Sequence, residues 1–307
     1  MIAISIKSGR MRFARADLDN GMPTLRRIGE TALPAPLTKP DLRSDRLNAT
    51  IGGAFQHVRD FLEGDDRDVY VSLGEEWVET DILEVDGGLS LDQREAYVNW
   101  ALQQRLGPLW DDSASFLSLV PDGPGERGLV VASVTSVKVI RAVRDAVRNI
   151  GGIPVWMEAG VLSLNRVTTS LDDGRTTRTL AMEPADGIFR GLFHERGQLR
   201  ALAQFTLRAG VARETVMKGD RNLVSECLRA FNAYLASDDL SPDLRVFVSG
   251  EISRYAMNVL THSGTAEGVL TVINPFADLQ TGEVSLPDTA NGSWYVDVRG
   301  LIDKGAF

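Results

Sequence analysis

Two passages of the chain combine an apolar strand with a turn whose residue types suit phosphate chemistry. They span residues 2–15 and 180–193. Lysine and serine side chains can contact a phosphate, a glycine lets the backbone approach it, and a glutamate can reach a magnesium ion. The residues that could do so are Lys7, Ser8, Gly9, Glu183 and Gly187. The two turns are therefore candidates for a vestigial phosphate site, and the alternative is that both hairpins only hold the fold together.

The sequence lacks the motifs of the commonest enzyme classes. It has neither a G-x-S-x-G nucleophile elbow nor a glycine-rich phosphate-binding fingerprint, and its three histidines, His57, His194 and His262, do not have metal-ligand spacing. The single cysteine, Cys227, excludes an intrachain disulfide and is expected in the core. These patterns give no support for a hydrolase or zinc enzyme.

Composition predicts a soluble globular protein. The chain has 307 residues, 43% apolar content and a net charge of -9. No segment approaches the roughly 18 apolar residues of a membrane helix, and the excess negative charge argues against nucleic-acid binding. We therefore expect a cytoplasmic protein that reaches a membrane only through partners.

The order of periodic segments predicts an α/β fold. Strands over 2–16 and 69–73 flank an amphipathic helix near 47–62, and three strands between 179 and 207 precede a helix over 222–236 and a strand over 245–249. This alternation is typical of helices packed on sheets.

Residues 77–155 are predicted to form an inserted α+β subdomain. Ser90 and Gln93 have capping-box spacing before one of its helices. The first lobe then comprises residues 1–76 and 156–173, with 275–307 returning to it, and the second lobe comprises 174–274. Four tryptophans lie in or beside the insertion, either as core or as interface anchors, and Trp100 is the one most expected in the core. They are Trp77, Trp100, Trp110 and Trp156.

The order of these passages resembles PilM, the actin-like protein of type IV pilus assembly, and more distantly the cytoplasmic part of the type II secretion protein GspL. The passages that carry the resemblance are the insertion, the runs 151–166 and 222–231, the strand 246–250 and Asn274-Pro275-Phe276. The resemblance implies a two-lobed actin-like ATPase (ribonuclease H-like) fold with an inserted α+β subdomain.

The resemblance also implies a nucleotide site, but its chemistry is degenerate here. Where active relatives carry an aspartate and a glycine, this chain has Ser5 and Lys7, and Ala185 replaces a glycine beside Pro184, which has no backbone donor. The adenosine segment keeps Ser249 and Gly250 but has Glu251 next to them. We expect no cofactor and no catalysis, with magnesium ATP as the alternative.

The implied function is a cytoplasmic scaffold of a type IV pilus or type II secretion platform. Its partner would be a PilN-like inner-membrane protein, whose cytoplasmic N-terminal peptide lies extended between the main lobe and the insertion. The resemblance further implies an assembly ATPase as a partner and allows an oligomer. The alternatives are an ATPase or small-molecule kinase of the same fold, and an FtsA-like filament protein, for which residues 298–307 are too short and glycine-rich to provide a membrane helix.

Overall fold

The structure, a computed structural model, describes residues 1–7, 9–19, 22–34, 41–62, 67–120, 128–172, 177–185, 188–208, 211–237, 243–250, 270–281, 284–287 and 293–306. Its strands are β1 Ile2–Lys7, β2 Arg10–Asp19, β3 Met22–Ala32, β4 Asp68–Leu73, β5 Glu79–Val85, β6 Ser113–Val120, β7 Gly128–Ser136, β8 Ile153–Ala159, β9 Arg178–Ala185, β10 Ile188–Glu195, β11 Gln198–Arg208, β12 Val211–Gly219, β13 Leu244–Val248, β14 Leu270–Val272 and β15 Gln280–Thr281. Its α-helices are α1 Arg46–Phe55, α2 Leu91–Leu106, α3 Val137–Asn149, α4 Gly160–Leu171, α5 Arg221–Ser237 and α6 Val296–Ala306. Short 3-10 helices span Asp41–Arg43, Gln56–Phe61, Gly107–Asp112 and Ser293–Tyr295.

The first sheet has the strand order β15-β3-β2-β1-β4-β8. Its central strand β1 is antiparallel to β2 and parallel to β4. Because side chains alternate along a strand, Ile2, Ile4 and Ile6 pack in one core cluster with α1 and α3, while Ala3 packs in another with α6. The apolar run of β1 is therefore buried on both faces.

The second sheet has the order β12-β11-β10-β9-β13-β14 and matches the first in its five strands from β11 to β14, while its outer strand β12 is antiparallel where β15 of the first sheet is parallel. Each sheet has an antiparallel meander, of three strands (β1 to β3) in the first and four strands (β9 to β12) in the second. In each sheet the meander is followed by two parallel strands, β4 and β8 in the first and β13 and β14 in the second. Helix α5 packs on one face through Cys227 and Phe231. On the opposite face, Ala181, Leu192 and Phe247 belong to the same core cluster as the first sheet.

A separate three-stranded sheet has the order β5-β7-β6 and packs against α2. The predicted capping box is present, because the Ser90 hydroxyl accepts from the Gln93 N–H while the Gln93 side chain accepts from the Ser90 N–H. Strand β8 begins at Ile153 and pairs with β4, so residues 153–155 lie in the first sheet. The domain boundaries drawn from the sequence stay a prediction.

The sequence analysis missed several elements that the structure shows, and one of its expectations needs correction. Strands β3 and β12 and helix α6 were missed. Strand β3 contains a proline and several charges, β12 has a run of three polar residues at its centre, and α6 contains two glycines. The expectation that Trp100 lies in the core is wrong. Trp100 is 56% exposed, and its ring lies 5.9 Å from the ring of Tyr97 on the outer face of α2.

Candidate functional site

The two turns that were predicted to contact phosphate follow β1 in the first sheet and β9 in the second. The structure brings the ends of these two strands together. Lys7 is the last residue of β1, and Glu183 lies in β9. In the first turn, Gly9 has a φ of 68°, a left-handed backbone conformation that favours glycine. The Gly9 carbonyl accepts a hydrogen bond from the Leu33 N–H. Lys7 and Glu183 are each only 5% exposed. The charged ends of the two strands therefore meet inside the protein.

Lys7 forms a buried ion pair that joins the two sheets. Its ammonium donates to Glu183 Oε2, and Asp297 Oδ2 lies 3.5 Å from the same nitrogen. Burial alone would lower the pKa of Lys7, but the carboxylates of Asp297 and Glu183 outweigh burial and raise the pKa above its usual range. The lysine is thus held protonated between two carboxylates.

Asp297 comes from the first turn of α6 and is fully buried. Its Oδ2 accepts from the Ser5 hydroxyl at 3.2 Å, and a Cβ on Gly160, the first residue of α4, would lie 3.0 Å from that oxygen. Burial raises the pKa of Asp297 to about 6, although Lys7 and Ser5 oppose the shift. A larger residue at position 160 would therefore require this carboxylate to move by a few tenths of an ångström.

A second ion pair extends the cluster toward the three-stranded sheet. Arg190 in β10 lies opposite Glu183, and its Nε is 2.8 Å from Glu75 Oε2 in the segment between β4 and β5. Burial raises the pKa of Glu75 to about 7, against the effect of Arg190. We call these five residues, Lys7, Glu75, Glu183, Arg190 and Asp297, the charge cluster. Its three acidic and two basic side chains come from three strands (β1, β9 and β10), the segment between β4 and β5, and helix α6.

The remaining predicted site residues are only partly brought to the cluster. Ser249 follows β13 and is fully buried, and its N–H donates to the Met182 carbonyl, next to Glu183. Gly250 is also buried and has a φ of 80°. Ser8, Gly187 and Glu251 lie outside the described residues. Lys7, Glu183 and the Ser249–Gly250 turn therefore converge, as far as the structure describes them.

Sequence reasoning missed Asp297, Arg190 and Glu75. A signal for Asp297 existed, because Val298, Leu301 and Ile302 have the spacing of one helix face and an aspartate among them is unusual in a buried stripe. Its partner Lys7 is 290 positions away, so no local pattern could link the two.

The side chains of the charge cluster do not fit a magnesium nucleotide, the ligand that the resemblance gave as the alternative. The ammonium of Lys7 lies between the carboxylates of Glu183 and Asp297, where a cation held by both would have to lie. Within the described part of the chain, no group of three His, Cys, Asp or Glu side chains is arranged to hold a metal ion. Glu183 is thus neutralised by an internal cation rather than oriented toward a ligand.

A second feature is a groove of about 850 Å³ between β6 and β8. Among the strands that the structure describes, both lie at an edge, β6 of the three-stranded sheet and β8 of the first sheet. We call this space the groove. The side chains that matter below are Phe116 and Leu117 of β6, Trp156 and Met157 of β8, Leu162 of α4 and Lys304 of α6.

The groove combines apolar walls with an ordered polar floor. Trp156 is 41% exposed, and Ile153 and Val155 of the same strand are exposed beside it. Glu158, which is buried, accepts from the Trp156 indole N–H at 2.9 Å and from both terminal nitrogens of Arg166 at 2.9 and 3.0 Å. The groove therefore presents a fixed aromatic surface and no uncompensated carboxylate from Glu158.

Comparison with known proteins supports the fold. No family model and no curated protein matches the chain, but solved structures do. The structure of a PilM-PilN type IV pilus biogenesis complex gives a TM-score of 0.68 at 15% identity, covering 100% of this chain and 98% of that chain. A protein of Bacteroides thetaiotaomicron with an actin-like ATPase fold and unknown function gives 0.53 at 12% identity, covering 98% and 95%.

A third similar structure is the cytoplasmic domain of EpsL, an inner-membrane component of the Vibrio cholerae type II secretion system. Its TM-score is 0.48 at 12% identity, covering 100% of this chain and 94% of that chain. The first two similarities confirm the predicted actin-like ATPase fold and the likeness to PilM at the level of fold. In the described residues, no helix is both long and apolar enough to span a bilayer.

Proposed function

We propose that this protein is a scaffold of a type IV pilus or type II secretion platform. In this proposal it lies at the cytoplasmic face of the inner membrane and holds the extended N-terminal cytoplasmic segment of a PilN-like protein in the groove. Support comes from the fold likeness to a PilM-PilN complex over the full chain. The assembly ATPase and the oligomer that the resemblance implied stay predictions.

The single observation that carries the proposal is the groove between two edge strands. An edge strand has N–H and C=O groups on one side that a further strand can pair with, so an extended peptide can add to it. Exposed apolar side chains on such a strand promote aggregation unless they are covered. A partner segment on β8 would cover Trp156, which lines the groove, and would pair its own backbone.

Trp156 is the best anchor in the groove. Its ring is fixed from one side by the hydrogen bond to Glu158 and from another by Lys304, whose ammonium lies 4.6 Å from the ring centre. A tryptophan held in one orientation loses little conformational entropy on binding, and interface hot spots are enriched in this residue. Truncating a hot spot costs about 2 kcal/mol or more, which corresponds to roughly 30-fold in affinity.

The test is a titration of a fluorescein-labelled peptide with the purified protein. The peptide comprises the cytoplasmic N-terminal residues of the PilN-like protein of the same organism. We expect saturable binding that Trp156→Ala weakens by about 30-fold. Trp100→Ala is the matched control, because Trp100 is an exposed tryptophan that does not line the groove. No binding by the unaltered protein, or equal losses in both variants, would refute the proposal.

We also propose that the scaffold works without ATP. A triphosphate at the two turns would have to compete with Glu183 for Lys7, and it would then face the freed carboxylate. Saturation at about a hundred times the dissociation constant stabilises a protein by roughly 2.7 kcal/mol, so binding is visible as a rise of several degrees in the thermal midpoint. We expect no rise with millimolar magnesium ATP. A clear rise would restore the nucleotide-binding alternative, and phosphate release would restore the ATPase.

A further inference from the structure

Helix α6 contacts both the charge cluster and the groove through one face. Asp297, Gly300 and Lys304 are spaced at i, i+3 and i+7, so they lie along the same side of the helix. Seven residues of helix span about 10 Å. A short rigid element therefore connects the buried ion pairs between the sheets to the wall of the groove.

At its first end, α6 is fixed by polar contacts. Asp297 Oδ2 accepts from the Ser5 hydroxyl at 3.2 Å and lies 3.5 Å from the Lys7 ammonium, which also pairs with Glu183. These partners come from both sheets. A change in the charge of Asp297 or in the spacing of the sheets must therefore act on the first turn of α6.

At its other end, α6 supports the groove. The Lys304 ammonium lies 4.6 Å from the centre of the Trp156 ring, and Arg166, which pairs with Glu158, also donates to the Gly300 carbonyl. Trp156 in turn donates to Glu158. The orientation of Trp156 thus depends on α6 by two routes, one through Lys304 and one through Arg166 and Glu158.

Between the two ends, α6 has no room to bend toward α4. A Cβ on Gly300 would lie 2.5 Å from the Ser163 carbonyl oxygen, so the two helix backbones are in direct contact. Close-packed interiors transmit displacement rather than absorb it. A shift of the first turn of α6 is therefore passed along the helix to Gly300 and Lys304.

We propose that α6 couples the groove to the charge cluster, so that Asp297, about 10 Å along the helix from Lys304, is a positioning residue for the peptide-binding surface. The coupling rests on the proposed function of the groove, and it is reciprocal: filling the groove stabilises the paired state of Asp297 with Lys7, and breaking that pair weakens binding in the groove. Coupling between two sites changes affinity by 5-fold or more.

The test compares Asp297→Asn with Asp303→Asn. Both remove one carboxylate from α6, but Asp303 pairs with Arg299 on the same helix and does not touch the cluster. With the labelled N-terminal peptide of the PilN-like protein, we expect Asp297→Asn to raise the dissociation constant at least 5-fold and Asp303→Asn to leave it unchanged. Equal affinities for the unaltered chain and Asp297→Asn would overturn the coupling.

A second measurement needs no peptide. Amide hydrogen exchange should speed up in residues 153–166 of Asp297→Asn, and not in Asp303→Asn, because Trp156 and Arg166 lose their support. Faster exchange confined to α6 would refute the coupling. If the unaltered chain binds no peptide, the proposed function fails while exchange still decides the coupling. If Asp297→Asn folds poorly, Ser5→Ala is a milder variant, because it removes only the hydroxyl that donates to Asp297. We expect Ser5→Ala to weaken peptide binding and speed up exchange in residues 153–166 in the same direction.

Discussion

At the scale of single residues, the unusual feature is a protonated lysine enclosed by carboxylates between two sheets. A buried ion pair contributes little net stability relative to apolar residues, but removing one partner leaves a buried charge without compensation. The pair of Lys7 and Glu183 therefore acts mainly as a constraint on how the two sheets meet.

The change Lys7→Met tests this constraint. It leaves Glu183 and Asp297 buried without the cation, so we expect the free energy of unfolding in urea to fall by about 3 to 5 kcal/mol. Arg10→Met is the control, because the Arg10 side chain is 53% exposed and its pair with Glu30 is at the surface. Exposed pairs contribute about 1 kcal/mol or less. Similar losses in both variants would show that Lys7 is not held in a buried pair.

The pH dependence of stability tests the surroundings of Asp297. Burial raises its folded-state pKa to about 6, with Glu183 acting in the same direction and Lys7 and Ser5 opposing. The unfolded value lies near 4. Between these values the folded protein binds more protons than the unfolded chain, so the contribution of Asp297 to stability is largest below about pH 4 and falls as the pH rises to about 6.

The measurement is the difference in unfolding free energy between the unaltered protein and Asp297→Asn, which cannot titrate at this position. We expect this difference to fall by about 1.4 kcal/mol for each pH unit between about pH 4 and 6, and to level off above about pH 7. A difference that grows with pH across the same range would mean that Lys7 lowers the pKa of Asp297 instead.

The sequence predicted part of this site. Lys7 and Glu183 were identified because each lies at the end of a recognisable apolar strand next to a polar turn. Asp297, Arg190 and Glu75 were not, because their roles depend on packing between segments distant in the chain. A turn can be predicted from the residues next to it in sequence. The partners of a buried charge depend on tertiary contacts, so they cannot be predicted in this way.

At the scale of elements, α6 is held against α4 by a glycine contact. Gly300→Ala would place a Cβ 2.5 Å from the Ser163 carbonyl oxygen, so one of the two backbones must move. We expect a loss of about 2 kcal/mol or more, seen as a lower thermal midpoint. Gly52→Ala in α1 is the control, because nothing lies within 4 Å of a Cβ there and alanine favours helix by about 1 kcal/mol. A neutral Gly300→Ala would contradict this packing.

Elements with a clean apolar period were predicted and those shaped by their neighbours were not. Helix α3 has Val139, Val143 and Val147 on one face, and its limits follow from the sequence. Strand β3 has no such pattern and is a strand because it pairs along β2. Trp100 lies at a helical position that suits a core, but the face of α2 that packs on its sheet is defined by Val98 and Leu102.

At the scale of the whole molecule, two six-stranded sheets of similar topology meet at the charge cluster, and the three-stranded sheet forms one wall of the groove. The order of strands and helices along the chain predicted the α/β class, and the resemblance to PilM implied the actin-like fold, which the structural similarities confirm. The resemblance implied a peptide between the main lobe and the insertion, but the side chains that line the groove could not be predicted, because no local pattern determines how β6 and β8 lie relative to each other.

The measurement that tests the account most directly is amide hydrogen exchange of the unaltered protein with and without the N-terminal peptide of the PilN-like protein. If the peptide adds as a strand in the groove, exchange should slow in β6 or β8, at residues 113–118 or 153–159, because edge N–H groups become paired. Slowing confined to the turns that carry Lys7 and Glu183, or to the outer face of α2, would contradict the assignment of the groove as the partner site.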